Sequence, residues 1–290
     1  MAFNVKKHDK ILANTLEDIQ SGVFDNVKAL ENEVADIVAL GLAPEQVRPQ
    51  IMQAFGRSSE SVKTQAAPLT NLSQDFLNQS SVPADNADLQ SESTLLNLSE
   101  QTLSSTMNSS GEDVVQTVVL ATVAGLATQV IVDQVRGRIS GINMDSNNPD
   151  VRREQRKLRK MMKTGGYTGA QYASQQSKIK GLLPGNVNTA ASLAVKMNTA
   201  SDSVVGSFNG TFAKSRATRQ EVEMFEYVGG IMATSRPFCI SMVGSRMSAD
   251  EINEVWDGSS WAGKEPGDPF VVRGGYNCNH YWVPIESEDE

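Results

Sequence analysis

The sequence predicts a mainly α protein, with elongated N-terminal and central helices, a polar extended linker and a small C-terminal α+β module. Three observations favour this fold class: an apolar stripe at helical spacing, a Ser-, Gln- and Asn-rich stretch after it, and the confinement of both cysteines and all three tryptophans to the chain from Cys239 onward. Only 39 % of the 290 residues are hydrophobic and 6 % aromatic, which is little for one continuous core. We therefore expect four consecutive segments: a helical hairpin that docks on a partner (1–56), the linker (57–112), a helical region with a basic segment (113–230) and the C-terminal module (231–290).

The net charge of −8 and the pI near 5.0 favour solubility and argue against a protein that coats nucleic acid. The first ten residues contain lysines but no apolar run, so no secretory signal is expected. In a reducing cytoplasm, the two cysteines are expected as thiols or metal ligands rather than as a disulfide.

The strongest helical pattern lies near the N terminus, where apolar residues step by three or four positions and so share one helix face. This stripe consists of Leu12, Leu16, Ile19, Val23, Val27, Leu30, Val34 and Ile37. Gly41 is predicted to end the helix and Pro44 to begin a second one, giving a hairpin. The stripe either packs against the chain's own helices or docks on a partner or a second copy of the chain.

Residues 57–112 carry little regular apolar periodicity and contain Pro68 and Pro83, which predicts an extended linker. Such a polar segment is expected to become ordered by lying on a partner.

The most apolar stretch, Val114 to Val135, is predicted to form a buried central helix. Its length approaches that of a membrane span. Gln116, Gln129 and Asp133 count against insertion, so a stable span is not expected and transient membrane contact is the alternative.

A basic segment follows between Arg136 and Lys180, with eleven Lys or Arg against three acidic residues. It is either a solvated helix face or a surface for phosphates or an acidic partner. The candidate contact residues are Arg152, Arg153, Arg156, Lys157, Arg159, Lys160 and Lys163. A further helix is predicted over Asn188 to Tyr227, with Val222 and Phe225 facing inward, and ends at Gly229-Gly230.

Short segments broken by Gly and Pro predict the C-terminal α+β module. Ser248 and Glu251 have the spacing of a capping box, which predicts a helix near Ser248 to Val255. Phe270–Val272 and Tyr281–Val283 are expected to be short strands.

Cys239, Cys278 and His280 are candidate metal ligands. In an extended chain, Cys278 and His280 project to one side, where Cys239 could join them. These residues could form a zinc site of Cys2His type, with a carboxylate or water as the fourth ligand. The alternatives are packed thiols beside a hydrogen-bonded histidine, a disulfide, or a Cys–His catalytic pair, for which no orienting group or oxyanion pocket is identified.

Three segments of this region carry a family resemblance. They are Tyr227-Val228-Gly229-Gly230, Ser235-Arg236-Pro237-Phe238-Cys239, and Arg273-Gly274-Gly275-Tyr276-Asn277-Cys278-Asn279-His280-Tyr281-Trp282. Over about residues 202–285 the chain resembles the minor head proteins of tailed bacteriophages, the family named after the F protein of phage Mu. Asn279 stands where many members carry arginine.

The resemblance implies a structural, non-enzymatic virion protein at the portal or inner head vertex, made in the host cytoplasm and acting in head assembly, DNA packaging or DNA release. Portal or capsid proteins, packaged DNA and further copies of the chain are the partners that it implies. It also implies structural roles for the motif residues Gly229, Gly230, Arg236, Pro237, Phe238, Arg273, Gly274, Gly275, Asn277 and Trp282. Two other classes remain open: an internal protein ejected with the genome that contacts the host membrane, and a zinc- or thiol-dependent enzyme.

Overall fold

The protein is mostly helical, with one small antiparallel sheet near the C terminus, and this confirms the mainly α class. The structure is a computed structural model. It describes residues 3–80, 83–141, 153–154, 156–157, 171, 174–175, 178, 192–231, 235–261, 264, 266–275, 278 and 280–285.

The elements follow one another in two groups. The first group is helical: α1 (Val5–Ala39), α2 (Pro44–Lys63), a 3-10 helix (Thr64–Leu69), α3 (Thr70–Gln79), α4 (Asn86–Ser109), α5 (Gly111–Val123), α6 (Thr128–Ile139) and α7 (Leu193–Arg219). The second group is β1 (Met224–Val228), α8 (Pro237–Met242), β2 (Arg246–Ser248), α9 (Ala249–Gly258), α10 (Pro269–Val272) and β3 (Tyr281–Ile285). As predicted, α1 ends before Gly41, whose φ is +62°, and Pro44 begins α2.

The extended linker predicted over 57–112 is wrong, because this segment is almost entirely helical. Its hydroxyl side chains bond back to carbonyls of their own helix, as Ser99 does to Leu95 O at 2.7 Å. Ser59 and Ser104 are both buried, with their Oγ atoms 2.6 Å apart. Small side chains that satisfy their own polar atoms allow buried helices without the apolar periodicity that sequence reading requires.

Two compact units, each built from separate stretches, make up the chain. The first comprises Met1–Leu16, Ala67–Ser99 and Asp202–Glu290, and the second comprises Glu17–Ala66 and Glu100–Ser201. This division differs from the four consecutive segments expected, because α1, α4 and α7 each contribute residues to both units.

The N-terminal stripe is buried within the chain itself. Six of its members, from Ile19 to Ile37, lie in the second unit and are at most 9 % exposed. The docking interpretation is therefore wrong for them, since side chains already covered by the chain cannot meet a partner. Leu16 is half-buried. Leu12 is also half-buried and packs in the first unit.

The single helix predicted over Val114 to Val135 is broken. Its two halves are α5 and α6, and Gly125 between them adopts a φ of +68°, which ordinary side chains rarely adopt. Leu120 and Val123 near the turn are 69 % and 74 % exposed, so the stretch is only partly buried. Among the described residues, no helix combines the length and apolar character needed to cross a membrane.

In the first unit, β1 lies between β2 and β3 in an antiparallel sheet. The register places Tyr227 opposite Trp282 and Val228 opposite Tyr281. Because successive strand residues face opposite sides, Tyr227 and Trp282 enter one hydrophobic cluster, and Val228 and Tyr281 enter another. Three N-terminal residues pack against the second cluster: Phe3, Val5 and Leu12.

The helix predicted up to Tyr227 ends earlier, at Arg219, and the next element is β1. Phe225 and Tyr227 are buried at a two-residue period, which is that of a strand. The start of the predicted helix, residues 188–191, lies outside the described residues.

Two of the three C-terminal predictions are confirmed. The capping box forms, with Ser248 Oγ accepting from the Glu251 amide and Glu251 accepting from the Ser248 amide. Tyr281–Val283 lies in β3. The strand expected at Phe270–Val272 is wrong: Asp268 accepts a hydrogen bond from the Phe270 amide and starts the short helix α10.

A buried ion pair holds α4 and α7 together in the first unit. Asp88 is 2 % exposed and accepts hydrogen bonds from Arg216 and Arg219. Burial opposes its ionisation, but the Asp85 backbone and the two guanidinium groups outweigh burial and lower the pKa of Asp88 below 3.8. A group with a lowered pKa stabilises the fold above its unfolded pKa and loses this effect as the pH falls.

We expect Asp88→Asn to lower the free energy of unfolding at neutral pH by about 3–5 kcal/mol, because it leaves the buried Arg216 without its counter-charge. Denaturant unfolding measures the change. Glu226→Gln, which removes the exposed cross-strand pair with Arg246, is the control and should cost at most about 1 kcal/mol. Equal effects of the two substitutions would contradict this account.

Candidate metal centre

Cys239 is placed by the short helix α8. Arg236 is extended at the N-cap and Pro237 occupies the first turn, where its missing N–H costs nothing. The side chain of Cys239 is 1 % exposed.

A turn and a strand place the other two candidate ligands. The Cys278 amide donates to Gly275 O at 3.1 Å, and Gly275 has a φ of +96°, which favours glycine. His280 directly precedes β3, two residues before Trp282. Cys278 and His280 project to the same side, with Cys278 Sγ 3.6 Å from His280 Nδ1.

The three predicted ligands converge with a fourth polar group, the hydroxyl of Tyr227. Cys239 Sγ and Cys278 Sγ are 3.6 Å apart. Tyr227 Oη is 3.6 Å from the Cys239 sulfur and 3.7 Å from the Cys278 sulfur. The Cys239, Cys278 and His280 ligand atoms all lie within 4.8 Å of one another. We call these four side chains the Cys–His–Tyr cluster.

Aromatic rings enclose the cluster. Tyr227 stacks on His280, with centroids 5.7 Å apart and an interplanar angle of 12°, and it also packs on Trp282, with centroids 4.6 Å apart. Trp261 stacks on Phe238 at 4.2 Å. All four members of the cluster are at most 3 % exposed.

The polar interior of the cluster shifts the acidity of its thiols in opposite directions. The hydrogen bond from Cys239 lowers the pKa of Cys278 to about 3, against the effect of burial and with help from His280. The same hydrogen bond, together with burial, raises the pKa of Cys239. Burial also raises the pKa of Tyr227. Cys278 is therefore the more acidic of the two thiols, and cysteine binds metals as the thiolate.

Backbone approach explains Gly274. A methyl group at this position would lie 2.4 Å from Cys239 Sγ and 2.7 Å from Cys278 Sγ. The indole of Trp261 donates to Gly274 O at 3.1 Å and fixes this backbone against the cluster. The backbone of Gly274 therefore packs directly against both sulfurs and leaves no room for a side chain.

The other motif residues have separate roles. Gly229 has a φ of +137°, whereas no atom of the described residues lies within 4 Å of a methyl group placed on Gly230. Asn277 lies outside the described residues. Arg273 has a φ of +55° and its guanidinium lies against Gly206 of α7, where any side chain would collide with it. Nearby, burial raises the pKa of Asp202 to about 6, and the charge of Arg273 opposes that rise.

The predicted phosphate-contact residues are described only in part. Arg153, Arg156 and Lys157 are exposed. Arg153 and Lys157 pair with Glu154, at 3.1 and 2.8 Å, and with Gln175 these two cations lower the pKa of Glu154 to about 2. The remaining four, Arg152, Arg159, Lys160 and Lys163, lie outside the described residues.

The sequence predicted the three candidate ligands but not that Tyr227 lies beside them. The available signal was the two-residue period Phe225, Tyr227 after a helix, which places both rings on one face of a strand. Together, Cys239, Cys278 and His280 form a buried group that could hold a metal ion.

Comparison with known proteins adds no relative: no family model, curated protein or solved structure matches the chain. The resemblance to the Mu F-like minor head proteins therefore stays a prediction.

We expect Gly274→Ala to destabilise the protein by at least about 1–3 kcal/mol, because its methyl group overlaps both sulfurs. Gly230→Ala is the matched control, because in the described part of the chain nothing lies within 4 Å of the added methyl group, and it should leave the midpoint of thermal unfolding nearly unchanged. A wild-type midpoint for Gly274→Ala would show that the backbone is not packed on the sulfurs.

Proposed function

We propose that this chain is a structural minor head protein of a tailed bacteriophage, acting at the portal or inner head vertex in head assembly, DNA packaging or DNA release, with a C-terminal module held together by zinc. One observation carries the proposal. The three sequence segments that resemble the family meet at a single buried cluster, to which they contribute Tyr227, Cys239, and the pair Cys278 and His280. Proteins that share a structural module are expected to share the residues that form its interior, and the three segments supply such residues.

Burial favours a structural role over an enzymatic one. A thiol or metal-bound water must reach a substrate in order to react, and catalytic zinc keeps one coordination position open. Cys239 and Cys278 are 1 % and 2 % exposed and face one another across 3.6 Å. Their position suits a cross-link between the segments that carry them.

Zinc fits the donor set best. Two thiolates and one imidazole are typical zinc ligands, and a tetrahedral zinc with bonds of about 2.0–2.3 Å separates its ligand atoms by about 3.5–3.8 Å. The observed Sγ–Sγ and Sγ–Nδ1 distances are both 3.6 Å. A bound dication would also offset the cost of burying thiolate ligands.

Partner contacts are supported less directly. Of the seven candidate contact residues, the three that the structure describes, Arg153, Arg156 and Lys157, are exposed, as contact with DNA phosphates or an acidic portal surface requires. The N-terminal stripe does not supply this contact, since most of it is buried.

A second candidate is an ejected internal virion protein that touches the host membrane. The turn between α5 and α6 favours it, because Leu120, Val123 and Leu126 are 69 %, 74 % and 40 % exposed with no charged residue between them. Exposed apolar side chains at a helical turn can enter the interfacial region of a bilayer without spanning it.

Quantitative mass spectrometry of purified virions tests the function. Particles of the phage that encodes the chain are compared before and after DNA ejection, for wild type, Cys278→Ala and the control Gly230→Ala. We expect the same low copy number in filled and emptied wild-type and Gly230→Ala heads, and loss of the Cys278→Ala protein from heads. A copy number that falls on ejection would favour the second candidate, and absence from all particles would contradict both.

Metal analysis of the purified full chain tests the zinc assignment. We expect about one zinc per chain, and a loss of several kcal/mol of stability on chelation, because binding energy at a structural zinc site is folding energy. Cys278→Ala should lose the metal. Ile240→Ala, an exposed neighbour of Cys239 on α8, should keep it. Metal-free protein of unchanged stability would contradict the assignment.

A further inference from the structure

We propose that the hydroxyl oxygen of Tyr227 is the fourth ligand of the metal, so that Tyr227, Cys239, Cys278 and His280 form a closed coordination sphere. This inference rests on the proposed zinc site and replaces the carboxylate or water expected from the sequence as fourth ligand. It concerns the coordination position that decides whether the metal can act on a substrate.

The distances carry the assignment. Tyr227 Oη and the two sulfurs form a nearly equilateral triangle with sides of 3.6, 3.6 and 3.7 Å. Tetrahedral zinc with bonds of about 2.3 Å to sulfur and about 2.0 Å to oxygen or nitrogen requires edges of about 3.8 Å between sulfurs and about 3.5 Å from sulfur to the lighter atoms. With the 3.6 Å between Cys278 Sγ and His280 Nδ1, four of the six edges of the polyhedron agree with these values within about 0.2 Å, and the Cys239, Cys278 and His280 ligand atoms all lie within 4.8 Å of one another.

A single hydrogen bond from Tyr227 would favour one sulfur, whereas Oη lies almost equally far from both. A phenol that donates to one sulfur and accepts from the thiol of the other also gives this spacing. A metal ion would bind all three atoms at once, and titration with Co(II) separates the two arrangements.

The fold holds Tyr227 in place independently of the metal. It lies in the central strand β1, opposite Trp282 of β3, and its ring packs on Trp282 and against His280. Phe238, which is next to Cys239 in sequence, meets the ring edge-on at 6.1 Å. A ligand fixed by packing of this kind loses little rotamer freedom on binding.

A closed sphere has a chemical consequence. With no exchangeable position, the metal offers no bound water to act as a nucleophile and no site for a substrate carbonyl. The site then serves to join β1, α8 and the segment before β3, which are the elements that carry its four ligands.

Cobalt substitution of the full chain tests this inference, because the visible bands of Co(II) report the number and kind of its ligands. Wild type, Tyr227→Phe and Tyr281→Phe are each titrated with Co(II), and azide is then added. Tyr281 is the matched control: it is a buried tyrosine of the same sheet whose hydroxyl bonds Asp9 at 2.6 Å.

We expect four-coordinate bands that azide does not change in wild type and Tyr281→Phe. Tyr227→Phe should shift the bands, lower the Co(II) affinity by at least about tenfold and make the spectrum respond to azide. Bound metal with the same bands and affinity in Tyr227→Phe would overturn the inference while leaving the zinc site intact. So would a wild-type spectrum that responds to azide, a result that does not depend on the folding of any variant. No metal binding by wild type would overturn both proposals.

Discussion

The contact between the sulfurs of Cys239 and Cys278 is the constraint on which the C-terminal module depends. The two residues are 39 positions apart, so their meeting closes a long loop, which is entropically costly unless strong interactions offset it. The backbone of Gly274 packs against this contact, and aromatic rings surround it and keep both sulfurs buried. A metal held by both sulfurs would act as a cross-link and limit the unfolded chain as a disulfide does.

Buried polar groups secure the rest of the first unit. His8 bonds Asp75 at 2.7 Å and Asn209 at 2.8 Å, and Asp88 pairs with Arg216. These hydrogen bonds join the three separate stretches of sequence that form the first unit. Such groups are costly to bury and fix one arrangement once they are satisfied. The unit is therefore specified by directional contacts as well as by its two hydrophobic clusters.

The sequence was sufficient where the signal is local. The stripe from Leu12 to Ile37 predicted α1, Ser248 and Glu251 predicted the start of α9, and the two-residue spacing of Cys278 and His280 predicted that they project to one side. It failed where burial uses small polar side chains, as in α4, and where one glycine interrupts a helix, as at Gly125. The position of Tyr227 beside the two cysteines could not be predicted from the sequence. Cys239 lies in α8 and Cys278 in the segment before β3, and no periodic pattern in the sequence connects these segments with β1.

The central claim is that the Cys–His–Tyr cluster is a structural zinc centre. X-ray absorption at the zinc edge of the protein purified without added metal tests it most directly. The account predicts two sulfur neighbours at about 2.3 Å and two nitrogen or oxygen neighbours at about 2.0 Å. A shell of oxygen and nitrogen alone, or protein that contains no zinc, would contradict it.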